Sequence, residues 1–290
     1  MILLNSRERN PLQMQQDNSF HYALLVEYDG AGFHGFQFQN NARTVQEELE
    51  KAIFTILRDS VRIQFCGRTD SGVHATGQII SFVSRSEVER SEKFIHSMNA
   101  ILPSDVAVRE FFSVPAGFHP RFSCIAREYE YLIYNGKTRP LHLRPYTHWF
   151  RGKIPLEEIQ NELNSMTGER DWASFTRMEY RTENTMRYVD QISISRIADS
   201  LSRTDSLLAL RIRGNAFLHN MIRILAGTVL DRSKGKLKKS LLEILEDKNR
   251  LSAGSTAPPQ GLYFRHAYYG SAFANTGLQI LENYPTFRKD

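Results

Sequence analysis

A carboxylate in a short, glycine-flanked loop is the feature of this sequence best placed to do chemistry. Asp70 follows Arg68 closely and lies between Gly67 and Gly72, in the segment GRTDSGVH. The glycines permit a sharp turn and the close approach of a bulky ligand, and the nearby guanidinium would keep the carboxylate ionised. Such a carboxylate can act as a nucleophile or a base, although an Asp beside Gly and Ser is often only a turn former or a helix cap.

The elements that must hold this loop can be predicted from apolar periodicity. Alternating apolar residues predict a strand over Val61–Phe65 before the loop and a strand over Gln78–Val83 after it. The other elements predicted in this half are a strand over Tyr22–Tyr28, a helix capped by Thr44, a helix over Glu92–Met98 and a strand over Val106–Phe112. The resulting β-α-β-β-α-β order is that of the ferredoxin-like arrangement.

The second half repeats this order of elements without a literal sequence repeat. Its predicted strands are Ile125–Tyr134, Arg187–Ile197, Leu207–Ile212 and Leu262–Tyr269, and its predicted helices are one opened by Pro155, Phe217–Leu230 and Ser240–Asp247. Arg203-Thr204-Asp205-Ser206 predicts a hairpin loop. We therefore predict a disordered polar leader over residues 1–19, an N-terminal α/β half over 20–115, a C-terminal half over 116–272 and a tail over 273–290.

Several further motifs accompany the Asp70 loop in a fixed order. They are Tyr28-Asp29-Gly30, Phe33–Gln37, Asn99–Pro103, Phe118–Ser123, Arg127–Tyr131, Asn215–Arg223 and Gly261–Tyr263. Together with GRTDSGVH they resemble the TruA family of tRNA pseudouridine synthases, over most of the chain. The sequence departs from the family pattern at Ser71, where Ala is usual, and at Phe36, where Trp is common.

The resemblance implies both a fold and an activity. The fold would be α+β (mixed α/β), the pseudouridine synthase fold, in which two ferredoxin-like halves share one extended antiparallel sheet with a cleft across it. The activity would be the cofactor-free isomerisation of uridine to pseudouridine in tRNA, at positions 38, 39 and 40 of the anticodon stem-loop. The resemblance also implies a homodimer in which one tRNA touches both protomers.

Four residues are expected to form the site. Asp70 is the expected nucleophile; it could attack C6 of uracil, attack C1′ of the ribose, or stabilise and deprotonate a glycal-like intermediate. Arg68 would orient and ionise Asp70 or wedge into the base stack. Tyr129 aligns with the family tyrosine that packs on the target uracil. Arg223 lies in a segment that is apolar on nearly all sides, where an arginine is costly unless it pairs with Asp70 or another carboxylate.

Composition restricts the class of protein. The chain has 290 residues, 41% of them hydrophobic and 24% charged, with no apolar run near the ~20 residues of a membrane helix and no secretory signal at its start. Only Cys66 and Cys124 are present, which excludes a disulfide framework, and the nine histidines show no metal-ligand spacing. We expect a cytoplasmic protein without a metal or a cofactor. Cys66 is expected to be a small core residue rather than a reactive thiol.

The charge suits a polyanionic partner without requiring one. The net charge is +5 and the sequence pI is about 9.2. A cluster at Lys234, Lys236, Lys238 and Lys239 could contact RNA or could be a solvated helix edge. Two other hypotheses remain: a non-catalytic tRNA-binding or folding module on the same scaffold, and a pseudouridine synthase that acts on other RNAs.

Overall fold

The two predicted halves are present, and each contains the expected order of elements. The computed structural model describes residues 19–88, 90–198, 206–285 and 287. The predicted leader lies outside the described residues apart from Ser19, and so do three of the four residues of the predicted hairpin loop at Arg203–Ser206.

The first half confirms the predicted β-α-β-β-α-β order. Its elements are β1 (Phe20–Tyr28), α1 (Val45–Leu57), β2 (Gln64–Phe65), β3 (His74–Ser84), α2 (Ser91–Ile101) and β4 (Val106–Ser113). Thr44 caps α1 as predicted, because its side chain accepts a hydrogen bond from the backbone of Glu47. Strand β2 is shorter than expected, since only two of its residues pair with β3.

The second half contains the predicted elements and two short strands that were not predicted. Its elements are β5 (Cys124–Tyr134), β6 (His148–Trp149), α3 (Leu156–Asn164), β7 (Gly168–Asp171), β8 (Met186–Arg196), β9 (Leu207–Gly214), α4 (Met221–Ser233), α5 (Leu241–Glu246) and β10 (Leu262–Tyr269). Strands β6 and β7 have two and four residues, too few to show a periodic pattern.

One ten-stranded sheet joins the halves. Its order is β4-β1-β3-β10-β5-β9-β8-β7, with β2 beside β3 and β6 beside β5. The order β4-β1-β3-β2 in one half matches β10-β5-β9-β8 in the other, so the ferredoxin-like arrangement occurs twice and the shared sheet is confirmed. The sheet is mixed rather than wholly antiparallel, because β10 joins β3 in parallel, with Tyr263 opposite His74. The short β2 leaves this end of β3 open for β10.

Helix α4 is the most enclosed helix of the second half, and it begins later than predicted. Nine of its residues are buried, and the segment after α5 lies so close to it that a Cβ on Gly227 would stand 1.7 Å from the carbonyl oxygen of Ser255. Asn220 has a left-handed backbone with φ 59°, which cannot continue a helix, so α4 starts at Met221 instead of Phe217. This break leaves His219 and Asn220 in a turn immediately before the N-terminus of α4.

Among the helices in the described part of the chain, none is both long and apolar enough to cross a membrane.

Candidate active site

The Asp70 loop connects β2 to β3 and is fastened to β3 at its base. The side-chain amide of Gln78 donates to the carbonyl of Gly67 at 2.6 Å and accepts from the Gly67 N–H at 3.1 Å. The N–H of Cys66 donates to the carbonyl of Ile79 at 2.9 Å. These bonds satisfy buried backbone groups where the strand pairing stops, so the loop leaves the sheet in a defined direction.

The motif Phe33–Gln37 braces the other side of the loop. The N–H of Phe36 donates to the carbonyl of Thr69 at 3.1 Å, and the Ser71 hydroxyl donates to the carbonyl of Phe33 at 3.1 Å. The hydroxyls of Tyr28 and Thr69 share a hydrogen bond of 2.7 Å. The motifs at Tyr28 and at Phe33–Gln37, both distant from the loop in sequence, therefore fix the backbone on both sides of Asp70.

The two glycines of the loop have different structural reasons. Gly72 has a left-handed backbone with φ 76°, which glycine adopts without strain. Gly67 is needed for space, because a Cβ there would lie 2.6 Å from the Phe264 ring and 3.3 Å from the Tyr129 hydroxyl. The predicted close approach at Gly67 is thus made by aromatic side chains of the second half.

Asp70 faces the N-terminal end of α4, where its carboxylate lies next to a cation. Arg223 Nη1 lies 3.7 Å from Asp70 Oδ2, so the predicted ion pair is present. About a third of the Asp70 side chain is exposed, at 32%. The carboxylate is therefore both opposed by a charge and open to a ligand.

Arg223 is held on its other side by neutral acceptors. Its Nε donates to the carbonyl of Ala257 at 2.8 Å, and its Nη1 donates to Asn220 Oδ1 at 3.0 Å. Burial lowers the pKa of Arg223, and the negative charge of Asp70 opposes that shift. The guanidinium is thus fixed in place by neutral groups, while Asp70 supplies its compensating charge.

Arg68 points to solvent instead of toward Asp70. Thr69 is buried and Arg68 is exposed, so the loop turns these neighbours in opposite directions. Within the described residues Arg68 makes no ion pair with a carboxylate. In the described residues the cation opposite Asp70 is therefore Arg223, and the predicted pairing of Arg68 with Asp70 is not present.

Tyr129 reaches the same loop from β5. Its ring packs edge-on against Phe217 and Phe264, with centroids 5.0 and 5.1 Å apart. Burial raises the pKa of Tyr129, and the phenol is therefore neutral at physiological pH. Its hydroxyl lies beside Gly67, 3.3 Å from where a Cβ on that residue would stand. By contrast, Tyr131 is fully buried and donates to the carbonyl of Pro258 at 2.9 Å, so it packs in the core.

Comparison with known proteins places the chain in a family. A family model described as tRNA pseudouridine synthase matches residues 24–123 and 163–270. A tRNA pseudouridine synthase A from Leptospira biflexa is 40% identical over 252 residues, covering 86% of this chain and 93% of that protein. Proteins with the same name from Bacillus subtilis and Klebsiella pneumoniae are 36% and 35% identical, covering 84% and 96% of this chain and 97% and 99% of their own lengths.

The chain belongs to the tRNA pseudouridine synthase family. The predicted enzyme class, an isomerase, is confirmed by this membership. The matched ranges include Asp70, Tyr129 is outside them, and Arg223 lies in the second range.

This family member also has a site residue that sequence reasoning missed. His219 Nε2 lies 3.9 Å from Asp70 Oδ1, whereas Arg223 is nearest to the other carboxylate oxygen, Oδ2. The ring of Tyr180, from the loop between β7 and β8, lies against His219 with centroids 4.1 Å apart. His219 could have been found, because it stands in the same motif as Arg223. Nothing in the sequence indicated Tyr180, which reaches the site only through the path of a loop.

The remaining candidates have structural surroundings. Cys66 is buried in the core, as predicted, and both cysteines are free. His74 is buried, its Nδ1 accepts from the N–H of Gly30 at 3.1 Å, and burial lowers its pKa. In the described residues there is no group of three or more His, Cys, Asp or Glu side chains that could hold a metal ion.

Proposed function

We propose that this protein converts uridine to pseudouridine at positions 38, 39 and 40 of the anticodon stem-loop of tRNA, with Asp70 as the nucleophile and without a cofactor. The observation that carries the proposal is the convergence on Asp70, which lies in a braced, open loop with Arg223 at 3.7 Å. The 35–40% identity to tRNA pseudouridine synthases A supports the substrate.

The reaction needs a carboxylate and a pocket that retains a free base. The N-glycosidic bond between C1′ and N1 breaks, the uracil turns, C5 bonds to C1′, C5 loses its proton and N1 gains one. Bonds and electrons balance without an oxidant or reductant. Asp70 could attack C6 or C1′ or deprotonate a glycal-like intermediate, and all three routes need its charge beside the sugar and the base.

The neighbouring side chains suit these steps. An extruded base must be held by stacking and by contacts to its edges, and the ring of Tyr129 stands next to the Asp70 loop with its hydroxyl beside Gly67. Arg223 keeps the carboxylate in place through opposite charge before the reaction and can balance the charge that develops when Asp70 bonds to carbon. Because its phenol is neutral, Tyr129 can donate a proton or relay the one that leaves C5.

The decisive experiment combines product mapping with a charge-removing variant. Purified protein is incubated with tRNA transcripts that carry uridine at each of the three positions, and pseudouridine is mapped by nucleotide. Asp70→Asn keeps the size and hydrogen bonding of the side chain and removes its charge. We expect its turnover to fall at least about 10³-fold, which is about 4 kcal/mol of barrier, while tRNA binding stays within several-fold of the wild type. Substantial turnover by Asp70→Asn would remove Asp70 from its proposed role.

The same assay separates the other hypotheses. A non-catalytic tRNA-binding module would bind the transcripts and form no pseudouridine, and its sequence would have no need of the intact Asp70 loop. A synthase for other RNAs would leave the three tRNA positions unmodified and act on a different transcript.

The proposal includes a homodimer and a cytoplasmic location. The homodimer rests on the family resemblance, and sedimentation velocity of the purified protein tests it. The location is supported by the two free, buried cysteines, since cytosolic proteins keep their thiols reduced.

A further inference from the structure

A second depression lies beside the Asp70 site and has no role in the chemistry described so far. Its lining residues are Arg177, Met178, Glu179, Arg250, Leu251 and Ala253. The first three belong to the loop between β7 and β8, and the last three follow α5. We refer to this depression as the 177–251 subsite.

Both walls of the 177–251 subsite are tied to residues that contact Asp70. On one wall, the Thr176 hydroxyl donates to the carbonyl of His219 at 3.2 Å, and His219 lies 3.9 Å from Asp70. On the other wall, the chain that follows Arg250 reaches Ala257, which exchanges backbone and side-chain hydrogen bonds with Arg223. The subsite is therefore anchored next to the residues that contact Asp70, near the path of a strand whose target uridine lies at Asp70.

The subsite exposes large apolar side chains. Leu251 is 85% exposed and Met178 is 69% exposed, and Tyr180, which covers His219, is 54% exposed. Single exposed apolar residues are common on protein surfaces. Met178 and Leu251 line the depression and Tyr180 follows Met178 in the same loop, so together they offer a surface on which a planar base can rest.

The same depression carries positive charge that its surroundings compensate poorly. Arg250 donates to the carbonyl of Ala253 and to the hydroxyl of Thr256, at 3.3 and 3.4 Å, and pairs with no carboxylate in the described part of the chain. Arg177 lies 3.8 Å from Glu179, whose side chain is 62% exposed, so that pair is weak. Burial and the charge of Arg177 both lower the pKa of Arg250. A phosphodiester placed between the two guanidinium groups would relieve this repulsion.

We propose that the 177–251 subsite binds the nucleotide next to the target uridine, with its phosphate on Arg177 and Arg250 and its base on Met178 and Leu251. The inference rests on the proposed function, because the strand at Asp70 is taken to be RNA. An RNA strand fits better than an acidic peptide, since the subsite pairs cations with apolar surface and lies next to the proposed uridine site.

The test measures tRNA binding over a salt series for a matched pair of variants. Arg177→Gln removes one exposed charge from the subsite. Arg85→Gln removes one exposed charge just past the far end of β3, which at ~3.3 Å per residue lies on the order of 35 Å from the Asp70 loop. We expect Arg177→Gln to raise Kd about tenfold. It should also reduce the slope of log K against log salt by about 0.7–0.9, the value for one phosphate. Arg85→Gln should change neither quantity.

A second variant separates base contact from phosphate contact. Leu251→Asn keeps the charge and removes apolar surface, so we expect it to raise Kd about three- to tenfold and to leave the salt slope unchanged. Leu251 is 85% exposed, so the substitution leaves the core intact, and a thermal melt of each variant checks the fold.

Each outcome decides the matter. Equal losses in Arg177→Gln and Arg85→Gln would mean general attraction to RNA and would overturn the subsite, as would unchanged binding in Arg177→Gln. An unchanged Kd in Leu251→Asn would overturn the base contact. If the wild type binds tRNA but forms no pseudouridine, the proposed function fails, and the binding slopes still judge the subsite.

Discussion

The two ends of α4 each carry an arginine, and the two arginines differ in how they are paired. At the N-terminal end, Arg223 lies 3.7 Å from Asp70, and His219 lies 3.9 Å from the same carboxylate. At the C-terminal end, Arg232 donates to Glu162 at 2.7 Å and to Glu158 at 3.1 Å. The 13 residues of the helix separate these ends by about 20 Å.

Salt bridges also pair the lysines that follow the C-terminal end of α4. Lys236 pairs with Asp231 at 2.9 Å and Lys239 pairs with Asp247 at 2.6 Å. The lysine cluster was predicted as either an RNA contact or a helix edge, and the structure places it at the end of α4 and in the loop that leads to α5. The N-terminal end of α4, by contrast, holds the long, partly exposed ion pair between Arg223 and Asp70, which leaves room for a ligand. A cluster of charges in sequence thus says less about binding than the completeness of its pairing.

The largest expected effect tests this contrast directly. Arg223→Gln and Arg232→Gln remove the same charge from the two ends of one helix. Loss of the Asp70 partner should lower kcat for pseudouridine formation by about 10²–10³-fold, the range for removing one stabilising charge from an active site. Arg232→Gln should leave kcat unchanged and lower the free energy of unfolding by about 1 kcal/mol or less. Equal kinetic losses from both variants would mean that the two ends are equivalent and would contradict the comparison.

A smaller effect is expected from substitutions of Tyr129, which lies near the N-terminal end of α4. Tyr129 packs on Phe217, just before α4, and its hydroxyl lies beside Gly67 of the Asp70 loop. If the hydroxyl moves a proton, Tyr129→Phe should bind tRNA normally and turn over about 10²-fold more slowly. Tyr129→Leu should also lose ring contacts, and with them about 2 kcal/mol of stability. Single-turnover rates and thermal melts measure these effects. A normal Phe variant with an impaired Leu variant would assign Tyr129 to stacking, and two normal variants would assign it to the core.

The smallest effect is expected from the lysine cluster at the C-terminal end of α4. Replacing Lys236, Lys238 and Lys239 with Ala should leave the salt slope of tRNA binding almost unchanged, because two of the three ammonium groups already have carboxylate partners. The measurement is the tRNA affinity of both proteins across the same salt series. A slope reduced by about two would show that the cluster neutralises phosphates and would extend the RNA footprint to this end of α4.

Local patterns in the sequence were enough to predict most of the fold. Apolar periodicity located the strands and helices of both halves, and β10 was predicted with its observed bounds, Leu262–Tyr269. The patterns failed where a fold-level contact decides the structure. Strand β2 shrank to two residues, and β10 occupies the edge of β3 that β2 leaves open. The start of α4 moved to Met221 because one residue adopts a left-handed backbone.

The sequence by itself selected the candidate residues: Asp70 and Tyr129 through motifs that resemble the family, and Arg223 also because an arginine is costly in a segment apolar on nearly all sides. Only the tertiary structure decided how they meet. It turned Arg68 outward, opposed Asp70 with Arg223 and added His219 and Tyr180. The physical reason is that an ion pair depends on distances of a few ångströms between segments far apart in the chain, and those distances are set by how the two halves share one sheet.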